Sequence, residues 1–112
     1  MAKTIKRAYS RYTREAIELL AVMIREARLE RKLPAQELAE RAGISRGLLQ
    51  RIEKGDPSCA ISAVFEVAYL LGIQLFDCDE GALASTLARS KEKLALLPKA
   101  ARKSVRVVDD EF

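Results

Sequence analysis

Three side chains between residues 46 and 51 have the chemistry that reading a DNA base requires. Arginine can donate two parallel hydrogen bonds to O6 and N7 of guanine, and glutamine can pair in a similar way with adenine. Arg46, Gln50 and Arg51 are of these two kinds, and Gly47 between them offers only close approach of its backbone. This set predicts contacts with base edges in a major groove.

Side chains for catalysis or metal binding are scarce. The sequence has no histidine, no phosphate-binding loop and no nucleophile elbow, and its acids are scattered along helix faces, where solvation is their usual role. Cys59 and Cys78 lie nineteen residues apart without a Cys-x-x-Cys motif, which favours two reduced, partly buried thiols over a zinc site. We therefore expect neither an enzyme nor a cofactor.

The base-reading candidates lie in a segment, residues 36–55, whose pattern predicts two short helices joined by a tight turn. Gly43 can adopt the positive φ that follows a helix, and Ser45 can cap the next one. Apolar residues recur at helical spacing in the first helix: Leu38, Ala39 and Ala42. The segment is therefore a predicted helix-turn-helix.

The second helix of this motif is predicted to present a polar face. Leu49 and Ile52 are three residues apart and face the core, which leaves the base-reading candidates on the other side. Contacts with phosphate position a protein without selecting a sequence. The candidates for close approach or phosphate contact are Arg41, Ser45, Gly47 and Lys54.

This segment resembles the phage-repressor (Cro, or XRE) branch of helix-turn-helix DNA-binding domains. The runs that match are Leu38-Ala39, Gly43-Ile44-Ser45 and Ile52-Glu53-Lys54-Gly55, and the resemblance extends from Ile24 to Ile73. It implies an all-α, five-helix domain that binds double-stranded operator DNA, here followed by a C-terminal helix and a short β-prone tail.

The resemblance also implies a structural ion pair and one departure from the family. Family members commonly pair the glutamate at position 53 with an arginine on the first helix, and the matching residues here are Glu53 and Arg28. Where they often have Thr-Gln, this chain has Pro34 and Ala35, so a phosphate contact from that glutamine is absent.

The pattern divides the chain into four parts: a basic arm (1–12), the helix-turn-helix domain (13–78), a packing helix (79–97) and a tail (98–112). Thr13 is expected to cap a first helix that runs to Lys32, and Ser62 is expected to cap a fourth helix that Gly72 closes. Ile73 to Phe76 should form an apolar turn that completes the core.

The positive charges concentrate at the two ends of the chain. The formal net charge is +4, yet residues 1–14 carry five basic and no acidic side chains, and residues 98–106 carry four basic and none acidic. The segment between these ends, residues 15–97, holds 11 basic and 13 acidic side chains, and the last three acids of the chain lie in the tail. Basic arms around a local reading face fit a sequence-reading regulator, although solvated tails are the alternative.

Nothing in the sequence predicts a membrane or secreted protein. No stretch approaches about 18 consecutive apolar residues, and the first residues lack the apolar segment of a signal peptide. We therefore expect a cytoplasmic location.

Self-association is expected from the size of the reading helix. A helix of about nine residues spans only about 13 Å, whereas two copies could read half-sites about 34 Å apart. A surplus apolar face near Leu19 and Met23 and the helix of residues 80–97 are candidate interfaces of a homodimer. The valine-rich run Ser104 to Val108 favours extended structure, and it must either pair with a strand of a second protomer or partner protein or stay disordered.

The regions outside the motif resemble HipB-like antitoxins. The runs that match are Lys54-Gly-Asp-Pro57, Leu71-Gly-Ile-Gln-Leu-Phe76, Leu97-Pro-Lys99 and the terminal Val108-Asp-Asp-Glu-Phe112. The resemblance implies a dimeric repressor of its own operon that also restrains a HipA-like serine/threonine kinase toxin. Two alternatives remain: a stand-alone XRE-family regulator without a toxin partner, and a protein-interaction module that no longer reads DNA.

Overall fold

The computed structural model describes residues 8–101 and 103 of the chain. These residues form five helices and no β-strand: α1 (Arg11–Glu30), α2 (Ala35–Ala42), α3 (Arg46–Glu53), α4 (Ile61–Leu70) and α5 (Glu80–Ala95). The all-α prediction is confirmed. Residues 1–7 of the predicted basic arm and the β-prone run 104–108 lie outside the described residues.

The chain divides into two compact units after Asp77, the first of which contains α1 to α4. Its core takes one fully buried large side chain from each helix: Ile24, Leu38, Leu49 and Val67. Each such side chain stabilises the fold by about 1.5–3 kcal/mol through burial. Helix α2 packs against α3 and α4, and α1 packs against α3, so the core holds the two helices of the motif in place.

Helix α1 begins three residues earlier than predicted and ends two residues earlier. Ser10 is its cap, because the Ser10 hydroxyl accepts a hydrogen bond from the Thr13 amide at 3.1 Å. Thr13 therefore lies in the first turn, and the prediction that it caps the helix is wrong. The helix ends at Glu30 because Lys32 adopts a positive φ of 54°, which turns the chain before Leu33.

Helix α4 begins at Ile61 without a side-chain cap. Ala60 occupies the capping position, and its carbonyl accepts from the Ala63 and Val64 amides at 3.1 and 3.2 Å. Ser62 lies inside the first turn, so the prediction that it caps α4 is also wrong. Gly72 closes the helix end with a φ of 74°, as predicted.

The residues after Gly72 form the predicted turn, but only part of it reaches the core. Ile73 packs against the core cluster, whereas Phe76 is exposed and meets the Phe65 ring edge-to-face, with centroids 6.3 Å apart. This turn adds no helix, so the first unit contains four helices. The fifth helix of the described residues, α5, belongs to the second unit.

The second unit contains α5. Asp79 caps it, since its Oδ1 accepts from the Ala82 amide at 2.8 Å. No residue of α5 is buried, and its widely spaced leucines, Leu83, Leu87 and Leu94, are all exposed. None of the helices in residues 8–101 combines the length and apolarity needed to cross a membrane.

Candidate nucleic-acid interface

The turn before α3 is built by two residues with distinct roles. Gly43 adopts a φ of 71°, and the next amide, that of Ile44, donates to the Ala39 carbonyl at 3.0 Å, which closes the end of α2. Ser45 then caps α3, because its Oγ accepts from the Leu48 amide at 3.0 Å. Both predictions are confirmed. The turn fixes where α3 starts and in which direction it leaves α2.

An ion pair fixes the other end of α3 to α1. Arg28 donates from Nε to Glu53 Oε2 at 2.6 Å and from Nη2 to Glu53 Oε1 at 3.0 Å, and its Nη1 donates to the Leu33 carbonyl at 3.1 Å. The two side chains are only 13% and 10% exposed. The hydrogen bonds that Arg28 donates to Glu53 raise the pKa of the Arg28 guanidinium above its usual range. Glu53 is thus neutralised inside the fold and does not face solvent as a bare anion.

Burial of Leu49 and Ile52 leaves one side of α3 open to solvent. Arg46 and Gln50 are exposed one turn apart on this side. Together with Arg25 of α1 and Lys54 at the end of α3, they line a cleft of about 230 Å³. The cleft therefore brings the two predicted base-reading side chains together with the positively charged Arg25 and Lys54.

Arg51 lies on the same exposed side of α3 but is engaged with the following loop. Its Nε donates to Asp56 Oδ2 at 3.0 Å, and its Nη2 donates to Ser58 Oγ at 3.2 Å. The Asp56 carboxylate also accepts from the Ser58 amide and hydroxyl. These bonds, led by the Ser58 hydroxyl, lower the pKa of Asp56 to about 2, so this carboxylate stays ionised at neutral pH.

The predicted phosphate-contacting residues differ in the contacts that they already make within the described part of the chain. Arg41 forms an ion pair with Glu37 one turn earlier on α2. The Ser45 hydroxyl oxygen accepts the capping bond, which leaves its proton available to donate. A Cβ at Gly47 would meet only Ser45 Oγ at 3.9 Å, so the surface here is open. Lys54 is exposed beside the cleft.

Sequence reasoning missed Arg25, Asp56 and Ser58. Arg25 precedes Arg28 by three residues on α1, so the helical period placed both on one side of the helix and could have identified it. The link from Arg51 to Asp56 and Ser58 depends on the path of the loop after Gly55. Helical spacing carries no signal for that contact.

A capped second helix that presents arginine and glutamine beside the exposed cations Arg25 and Lys54 has the form of a helix-turn-helix motif. Residues 24–77 match the family model described as Helix-turn-helix, which confirms the predicted XRE-type domain. Domains of this class occur in DNA-binding transcription regulators, which are generally not enzymes. No curated protein and no solved structure matches the chain significantly.

Proposed function

We propose that this protein is a sequence-specific DNA-binding repressor whose α3 enters the major groove. The observation that carries the proposal is the exposed side of α3, where Arg46 and Gln50 point away from the buried Leu49 and Ile52. Within residues 8–101 neither side chain has a hydrogen-bond or ion-pair partner. Both are therefore available for base edges, with Arg51 as a third reader.

Phosphate contacts are assigned to groups that flank the readers. Arg25 and Lys54 border the cleft on α1 and at the end of α3, and the Ser45 hydroxyl can donate from the start of α3. Arg41 would contact phosphate only in exchange for its ion pair with Glu37. These contacts would set the position of α3 in the groove.

The proposed active form is a homodimer. Helix α3 has eight residues and so spans only about 12 Å, which covers too few base pairs for useful selectivity. The exposed apolar residues Leu19, Val22 and Met23 on α1, and the leucines of α5, supply surface for a second copy. Two α3 helices would then read half-sites about 34 Å apart.

The proposed biological setting is a toxin–antitoxin operon. The sequence resemblance to HipB-like antitoxins supports a repressor that also binds a HipA-like kinase, and a stand-alone XRE-family regulator is the alternative. Co-purification with the native operon products separates the two. A kinase that co-elutes with the full chain supports the antitoxin role, whereas elution without a kinase supports the stand-alone regulator.

Selection from a random duplex library tests the DNA-reading function. The full chain should enrich one sequence, and Arg46→Ala or Gln50→Ala should weaken binding to it by about 1–3 kcal/mol. Arg25→Ala should instead weaken binding to all duplexes and reduce the salt slope by about one. Arg89→Ala on α5 is the charge-matched control. Failure to enrich any sequence would overturn the proposed function.

A further inference from the structure

We propose that Asp56 and Ser58 are positioning residues that hold Arg51 in the orientation needed to read a guanine. The inference rests on the proposed DNA-binding function. It assigns a role in sequence selection to a loop outside the two helices of the motif.

The loop is anchored to the same turn of α3 that carries Arg51. Gly55 adopts a φ of 77°, its amide donates to the Ile52 carbonyl at 3.1 Å, and the Asp56 amide donates to the Arg51 carbonyl at 3.0 Å. These two bonds form the usual closure of a helix by a left-handed glycine. The backbone of Asp56 is therefore fixed relative to the backbone of Arg51.

The Asp56 carboxylate is fixed in turn by its own loop. Its Oδ1 accepts from the Ser58 amide at 2.8 Å and from the Ser58 hydroxyl at 2.7 Å, which is the turn that aspartate favours two residues ahead. Its Oδ2 remains for Arg51 Nε at 3.0 Å. The carboxylate is thus held by two bonds within its own loop in addition to the bond from Arg51.

The bonds to the loop use one edge of the guanidinium and leave the reading edge free. Arginine has five N–H donors in a planar fork. Nε–H and one Nη2–H donate to Asp56 and Ser58, which leaves one donor on Nη2 and both on Nη1. The end-on pair formed by Nη1 and Nη2 is the fork that matches O6 and N7 of guanine. The side chain is 51% exposed, so this edge can reach a base.

An alternative is that Asp56 opposes DNA binding by neutralising Arg51. In that case the loss of Asp56 would raise affinity for every duplex and leave base preference unchanged. If Asp56 positions Arg51, its loss would reduce discrimination at the base pair that Arg51 reads. Discrimination is the ratio of affinities for two duplexes measured with one variant, so partial unfolding of a variant does not affect it.

The test compares variants on the selected duplex and on its single-base-pair variants. Arg51→Ala should lose about tenfold or more of discrimination at one guanine pair, and Arg51→Lys should fail to restore it because lysine has no fork. Asp56→Asn and Ser58→Ala should lose about threefold or more at that same pair, whereas Ser58→Thr, which keeps the hydroxyl, should retain it. Glu37→Gln removes another surface acid that is paired with an arginine, Arg41, and serves as the charge-matched control; the Glu37 side chain is 45% exposed and that of Asp56 is 31% exposed.

The outcomes separate this inference from the function on which it rests. If the wild-type chain enriches no sequence, both fail. If it does, and Arg46→Ala loses discrimination while Asp56→Asn and Ser58→Ala keep it at every pair, only the inference is overturned. A uniform gain in affinity for Asp56→Asn that matches Glu37→Gln, with unchanged discrimination, would also overturn it.

Discussion

Glu53 is an acidic residue on α3, the helix that we propose binds DNA. Its ion pair with Arg28 explains how an acid can be present close to phosphate groups. Arg28 binds both of its oxygens in a nearly buried pair. Repulsion from DNA is thereby reduced, and α3 is tied to α1. The desolvation of such a pair offsets much of its attraction, so its main contribution is the orientation of α3.

Removing one member of this pair should be costly. Glu53→Ala leaves the Arg28 charge largely buried without its partner, and we expect a loss of about 2–4 kcal/mol in the free energy of unfolding. Arg41→Ala breaks the exposed Glu37–Arg41 pair and should cost less than about 0.5 kcal/mol. Urea denaturation of both variants checks this. A loss below about 1 kcal/mol for Glu53→Ala would show that the pair is not needed to keep α3 packed.

The pKa of the Asp56 carboxylate should lie well below the usual range of an aspartate. Its pKa of about 2 is lowered first by the Ser58 hydroxyl, then by the Ser58 amide and Arg51. Because the folded pKa is depressed, this group's contribution to stability is fully present above about pH 4. It is lost only as the pH falls toward 2, so it is constant between pH 5 and 8. Carbon-detected NMR titration should show an upward shift of the Asp56 pKa in Ser58→Ala and also in Arg51→Ala. An unchanged pKa in Ser58→Ala would contradict the hydrogen-bond assignment.

At the scale of elements, the α2–turn–α3 motif was predictable because its signals are local. Gly43 and Ser45 each act within four residues of their own position. The first turn of α1 was harder, since Ser10 and Thr13 are both able to cap and only the structure shows which one does. The Arg51 contacts could not be predicted, because they depend on the loop path that Gly55 sets.

Two residues at helix ends have a positive φ, and we expect substitutions at them to change stability in opposite directions. Gly43 has a φ of 71° and nothing within 4 Å of an added Cβ, so Gly43→Ala should cost about 1–2 kcal/mol from backbone strain alone. Lys32 has a φ of 54° at the end of α1, and Lys32→Gly should stabilise the fold by up to about 1 kcal/mol. Thermal and urea unfolding measure both. Equal destabilisation by the two changes would argue against left-handed closure at these sites.

At the scale of the whole molecule, the expected homodimer depends on apolar residues that the described chain leaves exposed. Leu19 and Met23 lie on α1, and Leu87 and Leu94 lie on α5. We expect sedimentation at micromolar concentration to show a dimer. Leu19→Ser with Met23→Ser, or Leu87→Ser with Leu94→Ser, should weaken it at least tenfold, depending on which surface forms the interface. Tyr69→Ser, which alters an exposed residue of α4, is the control.

A strictly monomeric wild-type chain that still binds a palindromic duplex tightly would contradict the dimer. It would not contradict the base-reading role of α3, because one protomer can bind DNA without the second. The two claims are therefore separable by experiment.

The role of α3 as the reading helix is tested most directly by the affinity of Arg46→Ala for the selected duplex and for each of its single-base-pair variants. The wild-type chain should discriminate at the pair that Arg46 contacts by about 1–3 kcal/mol. Arg46→Ala should lose that discrimination at this one pair and keep it at the others. An equal loss of affinity on every duplex, with the wild-type base preference intact, would contradict a base-reading α3.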